Sequence, residues 1–477
     1  AKEKKGEWKG DKRARVDAPA EHGGAPASAV VATTAEIEVW PAWKLGAVLG
    51  TFFFSGAAAL LLETGWNRLF YLMSGTSVYS LASVLTGFLT GIGLGSLWMR
   101  KRIDRTDRVG DPMAAVALCY ALTALGGVLV FRSGGLFERI YLGLFGASST
   151  YFGFQIGVSL AVGAIVFLAT VAMGANFPLV AKVCSRVAER RGFSVGQVFF
   201  WNTLGAVLGA FLGEFFLLPR YGFEGLLLAT LAIYALGTAI FLGLSNAPNR
   251  GRSALISAAL LLVAFLLSPL VLSFEPPVHA AYYHGLRAKT YTNFRDAVLQ
   301  MKVIDRRQGF YGQVDVVETG GYRLLKHNGK TDASTSVADN QTQILLGHIP
   351  LFFHRDPKTV LAIGLGGGAT LRALVHHPDL TEITMVEIDP LVTETARKWF
   401  GDFNDHALED SRVRIVTNDG RNYVDSSKKK YDVITSEPPN IWVAGVSGLF
   451  TQEFYRSAEA HLSPGGILCQ WMPVYDM

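Results

Sequence analysis

Residues 43 to 274 run in long apolar blocks, whereas 275 to 477 alternate short apolar stretches with charge and turn residues. Seven blocks, near 45–62, 76–98, 113–131, 154–181, 196–218, 223–244 and 254–272, approach or exceed the length that crosses a bilayer, roughly 20 apolar residues. Small residues recur inside them, as in Gly91-Ile-Gly-Leu-Gly95 and Gly205-Ala-Val-Leu-Gly209, which suits close helix packing in lipid. The pattern predicts a helical membrane domain of about seven helices over 43–274.

The second half reads differently. Residues 312–318 and 322–326 alternate around a Thr319-Gly-Gly321 turn, and Asn328-Gly329 is a hairpin signal. A helical run follows at 342–350, so 275–355 is expected to form a small β-rich subdomain. From 356 the order becomes strand and helix in turn: strands at 360–363, 383–389, 412–417, 431–435 and 466–471, with helices from 369, over 390–400 and over 451–462. That alternation predicts a parallel, doubly wound, Rossmann-like α/β sheet over 356–477, with its ligand beyond the strands' C-terminal ends. A sheet of this type continues with an antiparallel hairpin, so more chain is expected after Met477.

Candidate chemistry gathers at those strand ends. The first runs into Gly364, Gly366, Gly367 and Gly368 before a helix, where a Cβ would obstruct a sharp turn close to a ligand. The next helix aims its N-terminal N–H groups at the same place. Glu387, ending the second strand, is placed to accept from ribose hydroxyls. Asp419, followed by Gly420, ends the third and is placed to accept from an exocyclic adenine amine. Glu437 ends the fourth. Each acid alone reads equally as a helix cap or turn residue, but the set points to nucleoside binding.

Composition narrows the classes. The net charge of +5 comes from basic residues beside membrane segments, so it is not a nucleic-acid signal. Cys119, Cys184 and Cys469 sit in apolar runs without metal-like spacing, which reads as reduced packing residues and no metal site. Residues 1–42 hold seven Lys/Arg in the first fifteen positions and then an Ala/Pro/Gly/Ser-rich run, without the apolar region of a secretory signal. A basic disordered tail is expected, with anionic lipid headgroups as the sharper alternative.

Lys and Arg are uneven across the helix connections. Segments 1–44, 99–112, 182–195 and 246–253 carry nineteen, and the alternate segments 63–75, 132–153 and 219–222 carry four. The positive-inside rule puts the first set, with the N-terminus, in the cytoplasm. A seventh crossing would then leave the C-terminal half outside, away from a nucleoside pool. The expectation is therefore a cytoplasmic catalytic half, either because 254–272 is re-entrant or interfacial, helped by Ser268-Pro269, or because one crossing is miscounted. Two carboxylates stand out in the apolar region. Glu63 is expected at a helix end reaching water; Glu214, on a helix with Trp201 and Asn202, is read as either a packing hydrogen bond or a substrate or ion site.

Residues of about 310 to 471 resemble the spermidine synthase (polyamine aminopropyltransferase) family. The resemblance rests on Asn328-Gly329, Gln343, His348-Ile-Pro350, the run from Val360 to Arg372, Val386-Glu-Ile-Asp389, Asp419-Gly420, Tyr431-Asp-Val-Ile434, Leu449-Phe450 and Phe454-Tyr455. With the apolar half, the whole is similar to bacterial membrane-fused spermidine synthase-like proteins, multi-pass in the inner membrane with a half-transporter-like helical region. Gly95-Ser-Leu-Trp-Met-Arg-Lys-Arg-Ile-Asp104 looks like the basic loop of such transporters. The resemblance implies a methyltransferase-type sheet and S-adenosylmethionine or its decarboxylated form as co-substrate. It implies Glu387 at the ribose, Asp419 at the adenine and the glycine loop at the sulfonium side, with Asp389 and Gly420 also in the nucleoside site. On the acceptor side it implies Glu437 and Asn440 as catalytic positions, with Gln343 and Trp442 binding the acceptor.

The sequence departs from that family at two acids. Gly367 stands where an Asp is usual in the glycine loop, and Asn440 stands at the catalytic Asp, leaving Glu437 as the nearest acid. Thr342 replaces an expected tyrosine. These losses weaken the match to a multiply charged amine, so two alternatives accompany aminopropyl transfer. One is an S-adenosylmethionine-dependent methyltransferase, for which Glu437-Pro-Pro-Asn440 carries some likeness. The other is a non-catalytic membrane component with a degenerate nucleoside domain. Expected partners are the bilayer, a small amine or lipid-borne substrate, and a second copy of the chain or a membrane-complex subunit, but not nucleic acid.

Overall fold

The computed structural model describes residues 40–103, 110–148, 150–187, 191–272, 300–441, 443 and 445–472. The basic tail (apart from 40–42), the join at 273–299, Trp442 and the last five residues lie outside the described part.

Among the described residues of the first half there are eight α-helices: α1 (Ala42–Ser74), α2 (Val78–Ile103), α3 (Gly110–Arg132), α4 (Gly134–Ala147), α5 (Tyr151–Val187), α6 (Arg191–Leu212), α7 (Leu218–Leu244) and α8 (Arg250–Leu272). Among the described residues six helices are long and apolar enough to cross a membrane, and one of them, Ser194–Leu244, is a 51-residue run. That run is two rods, because a π-helix at Gly213–Leu217 joins α6 to α7 and the backbone breaks at Gly222 (φ 62°, ψ −162°). The seven apolar blocks thus correspond to α1, α2, α3, α5, α6, α7 and α8. The short α4 lies between two of them.

Small residues set the packing and reveal the directions. A Cβ on Gly205 would sit 1.9 Å from the Phe53 carbonyl, one on Gly209 2.2 Å from that of Ala57, and one on Gly213 2.9 Å from Leu61. The constant offset makes α1 and α6 parallel. Gly87 against Gly163 and Gly95 against Val171 make α2 and α5 parallel in the same way. Phe131 meets Phe223 at one end of α3 and α7 while Thr238 Oγ1 donates to Ala117 nearer the other, so these two are antiparallel. The last helix, α8, follows α7 and packs on α3 and α7. Its 23 residues span about 34 Å at 1.5 Å per residue, comparable to the roughly 30 Å hydrocarbon core. The helix is continuous, and Pro269 sits within its last turn.

The second half holds two sheets. Strands β1 (Lys302–Gln308), β2 (Gln313–Thr319), β3 (Tyr322–His327) and β4 (Lys330–Ser334) form an antiparallel meander in that order. The β3–β4 turn puts Asn328 and Gly329 at positive φ, 49° and 81°, as a type I′ turn requires. The sheet of β5 (Thr359–Ile363), β6 (Glu382–Glu387), β7 (Val413–Thr417), β8 (Tyr431–Ser436) and β9 (Leu462–Gln470) is wholly parallel, in the order β7-β6-β5-β8-β9. Helices α9 (Val337–Phe353), α10 (Ala369–Val375), α11 (Pro390–Trp399), α12 (Gly420–Ser426) and α13 (Gln452–Ala460) accompany it. Apolar clusters fill the space on both faces, one around Leu351, Leu371, Leu380 and Met385, another around Val424, Tyr431, Phe454 and Ala458.

The two halves meet at one end of the helices. Arg68, near the C-terminus of α1, donates to the carbonyls of Gly309 and Phe310, each at 2.7 Å, and pairs with Glu214 on the π-helix. Phe215 stacks on Phe310 with centroids 4.8 Å apart. Ser77, between α1 and α2, forms a β-bridge with Val443. Glu214 is therefore one arm of an ion pair that clamps the β1–β2 turn. Glu63 differs from expectation: α1 continues past it to Ser74, and Glu63 is buried inside the helix packing.

Candidate active site

The C-terminal ends of β5, β6, β7 and β8 carry the residues singled out in the sequence, and hydrogen bonds join all four, Asn418 N donating to Glu387 O at 3.1 Å between β7 and β6. The Gly364 N–H donates to Val386 O at 2.9 Å, and the Glu437 N–H donates to Ile363 O at 2.8 Å. Gly364 has φ 92°, and a Cβ there would stand 2.4 Å from the Glu437 carbonyl oxygen. Only glycine combines that backbone with that approach. Gly368 caps α10 at φ 88°, and Asn404 crosses behind it to donate to Gly367 O at 3.1 Å. Gly366 also has positive φ.

Glu387 grips this loop. One carboxylate oxygen accepts from Leu365 N at 2.9 Å and the other from Asp389 N at 3.0 Å. Burial pushes its carboxyl up, and the two N–H groups act in the opposite direction. Each oxygen keeps one lone-pair direction for a further donor. Asp389 caps α11 by accepting from Leu391 N at 2.9 Å. Its other oxygen, Oδ2, is buried without a hydrogen-bond partner, with His327 Nε2 3.6 Å away. Burial raises this carboxyl as well. A buried acceptor beside Glu387 suits the hydroxyl donors of a nucleoside. Asp419 caps α12, accepting from Asn422 N at 2.8 Å, and a Cβ on Gly420 would press on Ile363 at 2.5 Å. Both aspartates thus have a helix-capping duty.

Opposite the glycine loop, Glu437 Oε2 accepts from Thr370 Oγ1 at 2.7 Å, and the same hydroxyl reaches Gln343 O at 2.9 Å. One hydroxyl proton cannot serve both acceptors. It turns to the carboxylate when Glu437 is ionised and to the carbonyl when Glu437 carries its own proton. Burial pushes the Glu437 carboxyl up to about 7; Asp339 and Asp332 push the same way, while the Thr370 hydrogen bond and Lys330 oppose them. Asn440 is buried nearby, and its carbonyl accepts from Val443 N at 2.9 Å. Gln343 enters through its backbone carbonyl; Trp442 lies outside the described residues.

Thr370, Asp332, Asp339 and Lys330 carry no motif that marks them for chemistry in the sequence. They reach Glu437 from α10, β4 and α9, and only the Lys330–Asp332 ion pair is local. A Cβ on Gly367 would meet Ala333 Cβ at 3.2 Å and Phe400 at 3.3 Å. Where the acid of the resembling family would stand, the wall is therefore apolar and tight. Among the described residues no three His, Cys, Asp or Glu side chains gather as metal ligands.

Residues 340–472 match the spermine/spermidine synthase domain. Two curated proteins from Streptomyces coelicolor match over most of the chain. Polyamine aminopropyltransferase 2 is 28% identical over 91% of this chain and 75% of its own length; polyamine aminopropyltransferase 1 is 26% identical over 87% and 73%. These matches extend well beyond 340–472 into the apolar half. A solved spermidine synthase in complex with the transition-state analogue AdoDATO shares 30% identity over 35% of this chain and 57% of that one, at a TM-score of 0.34.

Proposed function

Starting from a chain that is a spermidine synthase-like transferase with a methyltransferase-type domain, we propose that it alkylates an amine with a sulfonium nucleoside. Decarboxylated S-adenosylmethionine is the first choice of donor, and aminopropyl the group moved. The amine nitrogen's lone pair forms the new N–C bond as the C–S bond breaks, and that bond's electrons stay on sulfur in the methylthioadenosine that leaves. The nitrogen then sheds a proton. Because the sulfonium is already electrophilic, the protein's task is alignment and proton acceptance.

The observation that carries this reading is the Glu437 carboxyl, hydrogen-bonded to the helix of the glycine loop and poised near neutrality. A base with that affinity takes a proton at working pH and passes it on. In this reading Glu387 and Asp389 take the ribose, Asp419 and Gly420 the adenine, and Gly364, Gly366, Gly367 and Gly368 border the sulfonium. Asn440, Gln343 and Trp442 border the amine, with Asp332 and Asp339 adding negative charge. We place the helices in a bacterial inner membrane, with a bilayer-borne or soluble amine as acceptor.

The test is turnover by the full chain in detergent or nanodiscs, given each donor and a panel of amines, with nucleoside products read by mass spectrometry. Methylthioadenosine formation supports aminopropyl transfer. S-adenosylhomocysteine would support methyl transfer from the intact donor, a second reading favoured by the apolar wall at Gly367, which holds no carboxylate to repel that donor's own. If neither product forms although a donor binds, catalysis is excluded.

A further inference from the structure

We infer that the soluble half lies on the membrane face opposite the basic connections, outside the cytoplasm. The helix directions carry the first step. With α1 parallel to α6, α2 parallel to α5, and α3 antiparallel to α7, the crossings alternate, and α8 is the seventh. All contacts with the second half described above fall at one end: Arg68 and Ser77 on either side of the α1–α2 turn, and Glu214 and Phe215 at the α6–α7 junction.

More of the positive charge gathers at the other end. Arg100, Lys101 and Arg102 close α2, Lys182 lies in the last turns of α5 and donates to Ile103 O, and Arg250 and Arg252 open α8. Arg105, Arg108, Arg186 and Arg190 belong to the same connections in sequence. The docking end carries fewer, Arg68, Arg132, Arg139 and Arg220, of which Arg68 is buried and paired with Glu214. Short basic connections stay in the cytoplasm, whereas long domains translocate largely regardless of charge. Together these place β1 to β9 outside and reverse the expectation of a cytoplasmic catalytic half.

This inference does not depend on turnover, but it constrains the reaction sequence. A permanently charged sulfonium nucleoside does not cross hydrocarbon unaided. The step that supplies this donor is therefore a transport step across the membrane.

The experiment is thiol labelling of the full chain in intact spheroplasts with a membrane-impermeant maleimide, using the unsubstituted chain as the blank. Lys428→Cys reports the exposed α12–β8 connection and Asn249→Cys the exposed α7–α8 connection. The expected result is Lys428→Cys labelled before lysis and Asn249→Cys only after it. The reverse pattern overturns the inference, as does labelling of both or of neither before lysis.

Discussion

The two halves of the molecule share buried apolar cores but differ in what lines their closest contacts and their surfaces. In the helical half, large apolar side chains such as Phe152, Leu160, Phe199 and Leu255 face outward, while glycines line the contacts between helices. A bilayer around these helices would be as apolar as leucine, so close backbone approach would add to the buried core in holding them together. Its hydroxyls turn inward on their own helices, as Thr51 does to Ala47 O at 2.7 Å. Both halves bury large apolar side chains, Trp66, Phe70 and Phe137 in the helical half and Val360, Leu361, Leu371 and Met385 in the soluble one, where polar groups crowd the strand ends. The solvent outside, water or lipid, decides which side chains a helix shows. Arg68 belongs to both regimes, as a buried charge of the helical half that grips the backbone of the soluble one.

The comparison is broken most severely at a helix contact. Gly205→Leu forces a side chain into the Phe53 carbonyl, so α1 and α6 separate, and the expected outcome is loss of the monodisperse species on size exclusion in detergent. Gly93→Leu, where nothing lies within 4 Å, should leave that profile unchanged. If both behave alike, close packing is not what holds the bundle.

The next largest effect belongs to the soluble half. Glu437→Gln should lower turnover by about 10²- to 10⁴-fold, with donor affinity retained. In the wild type the rate should rise with pH through about 7 as the carboxyl ionises, and the variant should lose that limb. The same shift has a stability signature. A carboxyl raised from 4.5 to about 7 contributes stability that is full below 4.5 and is lost as pH climbs through 7. Denaturation midpoints should accordingly fall across that window in the wild type relative to Glu437→Gln.

Between the halves, Arg68→Ala strands the Glu214 carboxylate and frees two carbonyls. A loss of about 3 kcal/mol is expected, read as easier proteolysis of the soluble half, and Arg68→Leu with Glu214→Leu should recover part of it. The smallest effect is Asp389→Ala, which removes a helix cap at about 1 kcal/mol. Asp389→Asn should retain most of that stability while weakening nucleoside binding, which separates the cap from the ligand role.

Much of this was legible along the chain. Seven apolar blocks marked seven helices, and the strand–helix alternation gave the parallel sheet with Gly364, Glu387, Asp419 and Glu437 at its strand ends. Strand β1 was not legible. Its Lys302-Val-Ile-Asp-Arg-Arg-Gln308 reads as a charged loop, and becomes a strand because Asp315 accepts from Arg306 and Trp399 donates to Asp305. Nor was the setting of Glu437, whose neighbours Thr370 and Asp339 are distant in sequence.

Local pattern determined the elements, because hydrophobic period and glycine conformation act within a few residues. Two further things required the tertiary structure: the partners of the charged groups, and the end of the bundle on which the soluble half docks. Arg68 and Glu214 lie 146 residues apart, and Arg68 and Phe310 lie 242 apart. Buried charges demand partners, but their stabilisation depends on distance in space, and no periodicity along a chain encodes which distant residue will satisfy them.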